Sequence, residues 1–356
     1  MPSRRNFIFT SISAALAQEN QDPKFISDVN EVAVPVSVLD KNGRFVNGLE
    51  WKDFGLFDNN FPQPIKVDVS YVPISLVVAV QASDRIEPIL GNIKKLGPLL
   101  EGLVVGQQGE AAILAFDHRI RVMTDGFTND GKLFTEALNK INPGSKTARL
   151  VDSVFEASRL LRNRPKDRKR IILLIAETQD QGSEGRIREA LLSAEVNNII
   201  IYTININRAV TKLAGKMEAP KQSPVPAAAR GAGLPGGVPQ TPTEVDRMTA
   251  YGGNTTTAIP LIKEAFTQVK SIFIPNPMEV FSQFTGGREF SFLTLKSLEQ
   301  VVTNLGEEIH SQYMLTYTPT TEVTSMGGWH DIRVTVSKPA LKIRTRPGYW
   351  IAARPR

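Results

Sequence analysis

Four apolar runs constrain this chain more than any other feature: ISLVVAV (Ile74 to Val80), EAAILAF (Glu110 to Phe116), IILLIAE (Ile171 to Glu177) and NIIIYTIN (Asn198 to Asn205). A strand that is apolar at successive positions, rather than at alternate ones, is buried on both faces, as in a parallel sheet covered by helices. Helical patterns separate and follow these runs, over Ile86 to Val104, Asp130 to Ile141, Ala148 to Leu161 and Glu184 to Val196. HRIRVMTDG reads as a further strand. Strand–helix alternation of this kind specifies an α/β fold with a doubly wound, mostly parallel sheet. Later in the chain, Pro260 to Phe273, Met278 to Phe284 and Thr294 to His310 read as helices, with a Thr285-Gly286-Gly287 turn leading into the strand REFSF.

Both ends of the chain have a different character. EVAVPVSVLD alternates into the turn DKNG (Asp40 to Gly43), whose Asn-Gly pair tolerates positive φ and signals a hairpin. RFVNGL, WKDFGLFDN and QPIKVDVSYV follow as short strands, and the tail returns to β with QYMLTYTP, WHDIRVTVS and ALKIRTRPGYWIA. Either block alone is too small for a stable sheet, whereas together they supply about six strands. The economical architecture is a β-sandwich built from both chain ends, residues 29–72 and 311–353. The α/β domain, residues 73–310, is inserted between them, as surface turns allow. Within it, residues 208–257 include APKQSPVPAAARGAGLPGGVPQTPTEV, a Pro/Gly/Ala-rich stretch that reads as a flexible excursion. Trp51, Trp329 and Trp350 all fall in the β blocks, which implies core or inter-sheet packing.

Composition narrows the function classes. The 356 residues carry a net charge of +6 and no cysteine. Disulfides, thiolate-bound zinc, iron–sulfur clusters and thiol nucleophiles are thereby excluded. The basic residues are scattered without interleaved aromatics, which argues against a nucleic-acid surface. The dense run RNRPKDRKR (Arg162 to Arg170) reads as a solvated loop. Residues 1–17 have the form of an export signal: a basic start, a short apolar stretch and a small-x-small end at Ala15-Leu16-Ala17. Ser3-Arg4-Arg5-Asn6-Phe7-Ile8 also resembles a twin-arginine signal, which implies a periplasmic or cell-surface location. No later segment approaches the roughly 18 consecutive apolar residues of a membrane span.

The first apolar strand ends in Gln81-Ala82-Ser83-Asp84-Arg85, at the edge of an open α/β sheet where ligands bind. In order along the chain, PVSVLDKNGRFVNGLEWKDFGLFDN, VPISLVVAV, IILLIAE, IIIYTIN, FTGGREF, YMLTYTP and IRTRPGYW resemble bacterial exported proteins that carry a von Willebrand factor type A domain. Such domains bind proteins through a divalent cation held by an Asp-x-Ser-x-Ser motif, a later threonine and an aspartate. A hard cation wants oxygen ligands, and its open position accepts a partner carboxylate. Carried onto this chain, the first aspartate falls on Gln81, the first serine on Ser83 and the second serine on Arg85. The threonine falls on Thr147 or, shifted by one residue, on Ala148, and the late aspartate falls on Glu177. Any ion would have only Ser83, Thr147 and Glu177, against the fixed charge of Arg85. The resemblance therefore implies a degenerate site, with Mg²⁺ and Ca²⁺ disfavoured and no cofactor expected. Arg85 is expected to stand in for the ion by pairing with Glu177 or Asp84.

Other constellations are weaker. Gly144-Ser145-Lys146-Thr147 ends like a phosphate-binding loop but lacks its spacing and does not follow a strand. His118, His310 and His330 are isolated, with no metal-binding spacing, and there is no G-x-S-x-G elbow. Asp180 and Glu184 read as surface carboxylates. The expectation is a non-enzymatic protein-binding module of the cell envelope. Its partner would meet Gln81 to Arg85, Gly144 to Arg149 and Glu177 to Ser183 without a metal bridge. The alternatives are an accessory subunit of an envelope assembly and a hydrolase with an unrecognised site.

Overall fold

The computed structural model describes residues 31–68, 72–206, 276–292, 294–320 and 328–351, with single residues 211 and 323. The export signal (1–17), the Pro/Ala-rich excursion (208–257) and the expected helix Pro260 to Phe273 lie outside the described residues. The first four strands are β1 (Val32–Leu39), β2 (Phe54–Asp58), β3 (Phe61–Gln63) and β4 (Lys66–Asp68). Then come β5 (Ile74–Gln81), β6 (Glu110–Phe116), β7 (Ile120–Val122), β8 (Lys169–Ala176), β9 (Ile199–Asn205) and β10 (Glu289–Ser291). The last are β11 (Tyr313–Tyr317), β12 (Gly328–Val336), β13 (Lys342–Thr345) and β14 (Gly348–Ile351).

Strands β5 to β10 form one sheet in the order β10-β9-β8-β5-β6-β7, parallel except for the antiparallel edge strand β7. Its residues alternate between two cores. Leu76, Val78 and Val80 face α1 (Glu87–Lys94), α3 (Gly131–Asn139) and α7 (Leu295–Ser311). Val77 and Ala79 face α4 (Leu150–Arg162), α5 (Ile187–Val196) and α6 (Pro277–Thr285). Burial on both faces explains the unbroken apolar runs. The helix expected over Ile86 to Val104 is broken. After α1 the chain restarts as α2 (Gly97–Leu99), which runs into a π-helical turn, Leu100–Val105. Pro98 accounts for the break, because it has no N–H to donate and its ring blocks the preceding turn.

Strand β5 lies between β6 and β8, so the winding direction reverses there. The loops at the carboxyl ends of these strands open the crevice where α/β sheets bind ligands.

The sandwich contains two four-stranded antiparallel sheets, β13-β1-β11-β4 and β14-β12-β2-β3. Each mixes strands from both chain ends, so neither end completes a sheet alone. Alternate residues of β1 (Val32, Val34, Val36, Val38) are buried with Phe54, Leu56, Leu315 and Tyr317 between the sheets. The sandwich has eight strands rather than about six, and two local features add strands. Asn59 and Asn60 adopt positive φ (47° and 69°) and turn β2 back into β3, as paired asparagines can in a tight hairpin. Pro347, which has no N–H for a ladder, separates β13 from β14. RFVNGL, by contrast, forms only an isolated bridge, Leu39 to Phe45, and no strand.

Two further expectations are corrected. Trp51 is 66% exposed and packs in no core, because it starts a short 3-10 turn ahead of β2. Trp329 and Trp350 instead join the core of the α/β domain, with Trp329 edge-on to Phe284 at 5.6 Å. The run Arg162 to Arg170 is only in part the solvated loop expected: Arg162, Lys166 and Asp167 are exposed about a turn, whereas the other basic residues are engaged. Arg164 donates twice to Glu110 (2.7 and 2.6 Å), and Arg168 donates to Ser75 Oγ and to the carbonyls of Ile74 and Gln108. Charge density hid this, because the partners are carbonyls and one carboxylate distant in sequence.

Lys169, the last residue but one of that run, ties the two domains together. Its Nζ donates to the carbonyls of Ile309 (3.1 Å) and Gln312 (3.0 Å), where α7 leads into β11. Burial pushes the ammonium down to about 8, with Asp68 acting against the shift. Between pH 8 and the ordinary lysine value the unfolded chain binds more protons than the folded one. Stability therefore rises with pH across that window. Lys169→Met should flatten the rise; an unchanged slope in denaturant unfolding at pH 8 to 10 would remove Lys169 as its source.

Candidate functional site

The loop after β5 packs against two others. Gly144 N–H donates to Ala82 O (2.7 Å) and Asp84 N–H to Ser145 O (3.1 Å), joining it to the loop before α4. Gln81, the last residue of β5, is buried and used at both ends of its amide. Its Nε2 donates to Ser83 Oγ (2.7 Å), and its Oε1 accepts from the Glu177 N–H (2.8 Å), at the end of β8. Ser83 is fully buried and Glu177 is 4% exposed. Arg85, in the 3-10 turn Asp84–Ile86, holds its guanidinium 3.8 Å from Glu177 Oε2. Thr147 is exposed, with Oγ1 3.2 Å from Ser145 Oγ. Asp84 Oδ1 is buried and without a hydrogen bond. Gln81, Ser83, Asp84, Arg85 and Glu177 thus come together at one edge, and Thr147 sits on the adjoining loop.

Three carboxylates that sequence reasoning did not single out, or gave to the surface, hold these loops. Asp117, just past β6 and 1% exposed, accepts from the backbone N–H of Arg119 (2.7 Å) and of Ser145 (3.4 Å). The same packing requires glycine at position 144: a Cβ there would lie 1.7 Å from Asp117 Oδ2. Asp180 accepts from Leu150 N–H (2.9 Å) and Ser183 Oγ (2.7 Å), so it closes the amino end of α4 rather than facing solvent. Asp152 accepts from Arg149 and from the N–H groups of Glu184 and Gly185. A glycine after Pro143 was the one local signal; the carboxylates act on backbone far away in sequence.

The reversal of winding at β5, the antiparallel edge strand and the three loops at the carboxyl edge define the class. The α/β domain is a doubly wound, mostly parallel sheet set into a β-sandwich, the architecture that the von Willebrand factor type A resemblance leads one to expect. Solved structures with a similar chain path include a von Willebrand factor type A structure from Catenulispora acidiphila, 8% identical, with TM-score 0.44 over 79% of this chain and 51% of that one. An aerotolerance-related membrane protein from Bacteroides fragilis is 13% identical, with TM-score 0.36 over 66% of this chain and 99% of that one. The conserved hypothetical protein BatB from Bacteroides thetaiotaomicron is 17% identical, with TM-score 0.32 over 37% of this chain and 66% of that one. The chain thus spans about half the length of the Catenulispora structure. No family model matches the chain, and no curated protein matches it in sequence. At such scores the fold assignment rests on the strand order and loop positions.

The von Willebrand factor type A resemblance implies a divalent cation at the carboxyl edge, and the residues here do not fit one. A hard cation needs a shell of six or so oxygens. Gln81 Oε1 is engaged by a backbone N–H, while its Nε2 aims a donor at Ser83 Oγ. Beside Glu177, at 3.8 Å, stands the fixed positive charge of the Arg85 guanidinium. Among the described residues, no group of three or more His, Asp or Glu side chains is placed to hold a metal. The lone Asp84 Oδ1 is not a coordination shell.

Proposed function

We propose that this chain is a non-enzymatic, exported protein-binding module of the bacterial cell envelope, which meets its partner at the β5 edge without a metal bridge. The observation that carries this reading is the Gln81 amide, which ties Ser83 to Glu177 where the fold would place an ion. With Arg85 beside Glu177, the loops are held by hydrogen bonds and one fixed charge. Residues 1–17 supply the export signal. The likeness to von Willebrand factor type A structures agrees with an interaction role.

Two measurements test it. The melting temperature of the full chain should stay the same with chelator, Mg²⁺ or Ca²⁺, and a rise of several degrees with either ion would sink the metal-free reading. A partner captured from an envelope fraction should persist in chelator and be lost with Thr147→Trp, which covers the edge from an exposed position. Capture lost in chelator, or untouched by Thr147→Trp, counts against the proposal. Equal stoichiometry with a larger assembly would instead mark an accessory subunit.

A further inference from the structure

We infer that the partner meets this edge with an acidic segment, one of whose carboxylates is taken by the Arg85 guanidinium. This deepens, and rests on, the metal-free reading above.

The first observation is an uncommitted fork. Arg85 is 34% exposed, and among the described residues its one ionic contact is Glu177 at 3.8 Å, beyond hydrogen-bond distance. A guanidinium carries five donors in a planar array that matches a carboxylate in two parallel hydrogen bonds. Held beside a buried carboxylate but not saturated by it, the side chain is oriented and still able to donate.

The second observation is the sign of the surrounding surface. Arg119 and Lys146, exposed on the two neighbouring loops, carry no ion pair among the described residues. His118 and Arg121 are half exposed and share Asp117, while Arg149 is held by Asp152 and Glu184. Two acids of these loops are turned inward: Asp117 is 1% and Glu177 4% exposed. Asp84 is half-buried, while Glu87 at the start of α1 and Glu184 next to Arg149 are exposed. Arg85, Arg119 and Lys146 outnumber the exposed Glu87 and Glu184, so the balance offered to solvent is positive and steers and selects a negative partner.

Protein is favoured over the other polyanions. No exposed large apolar side chain lies on the loops 82–86, 142–149 or 177–183, so nothing there would enter a bilayer. The same loops hold no aromatic residue on which a base could stack.

Fluorescence anisotropy of a labelled oligo-aspartate peptide with the full chain tests the inference. Binding should weaken as salt rises. Arg85→Gln should lose about tenfold or more, the scale of a hydrogen bond to a charged group. Arg85→Lys should lose most of that, because it keeps the charge and not the fork. Arg119→Glu combined with Lys146→Glu should weaken binding and flatten its salt dependence, with unchanged melting curves showing that the variants fold. The inference is overturned by absent binding at low salt, by Arg85→Gln or Arg85→Lys binding like the parent, or by an oligonucleotide or anionic vesicle that binds better and ignores Arg85→Gln. If the peptide fails while chelator-resistant capture still depends on Thr147, the acidic partner is wrong and the metal-free site stands. If both fail, the edge is not the site.

Discussion

Asp58→Ala lowers the unfolding free energy by about 3–5 kcal/mol, the scale of breaking a buried polar pair by removing one partner. Asp58 sits at the end of β2, fully buried between the two sheets. Its Oδ2 accepts from the hydroxyls of Tyr317 and Tyr349 (2.7 Å each), and its Oδ1 lies 2.9 Å from His330 Nδ1. These partners come from β11, β14 and β12, so one carboxylate from the front of the chain joins three strands from its end. Removing it strands two hydroxyls and an imidazole where water cannot replace the acceptor. Burial already holds both tyrosine hydroxyls well above their ordinary range, so they stay protonated donors at any pH the fold survives. Asp58→Asn keeps the volume and part of the accepting capacity, and should cost less. Urea unfolding at pH 7 measures both variants; a loss below about 1 kcal/mol, the net worth of one ordinary hydrogen bond, would mean the cluster is not holding the sandwich.

That cluster also shows where the sequence was legible. Strands β5, β6, β8 and β9 announce themselves because burial on both faces needs apolar residues at every position, a local pattern. The inserted layout follows from a similarly local fact, the change to alternation at Pro73 and again after His310. By contrast, Asp58, Tyr317, His330 and Tyr349 carry no spacing signal, since they meet only once both chain ends fold together. The candidate edge divides the same way. Gln81, Ser83, Arg85 and Glu177 are placed by strand ends and were readable through resemblance. Asp117 and Asp152 work on backbone N–H groups some 30 residues away in sequence, which no residue type declares. Arg162 to Arg170 misled in part, for the opposite reason: Arg162 and Lys166 are solvated as their charge suggests, but the groups that receive Arg164 and Arg168 are far away in sequence.

The second large effect concerns the seam between the domains. Glu195 on α5 and Arg346, between β13 and β14, are both buried, with Arg346 NH2 3.8 Å from Glu195 Oε1. Burial pushes the Glu195 carboxyl up to about 7, while the Arg346 guanidinium acts against the shift. Between the ordinary carboxyl value and pH 7 the folded chain therefore binds more protons than the unfolded one. Stability that is fully present below pH 4.5 is lost as pH rises through 7. Arg346→Leu takes away the opposing charge and leaves the Glu195 carboxylate with only the Trp350 backbone hydrogen bond in its favour. The variant should be about 3–5 kcal/mol less stable than the parent at pH 8, where Glu195 must either be buried charged without its counter-charge or take up a proton, and two carbonyls lose their donor. At pH 5 the gap should shrink, because a protonated Glu195 needs no counter-charge. It should not close, since Arg346 also donates to the carbonyls of Gly348 and Ala33. Glu195→Gln should flatten the acid-to-neutral slope of the parent. Trp350, packed against the core at this seam, gives a fluorescence signal for the unfolding curves. An Arg346→Leu penalty equal at pH 5 and pH 8 would show that the arginine contributes only its packing and its two carbonyl bonds, and that Glu195 stays neutral throughout.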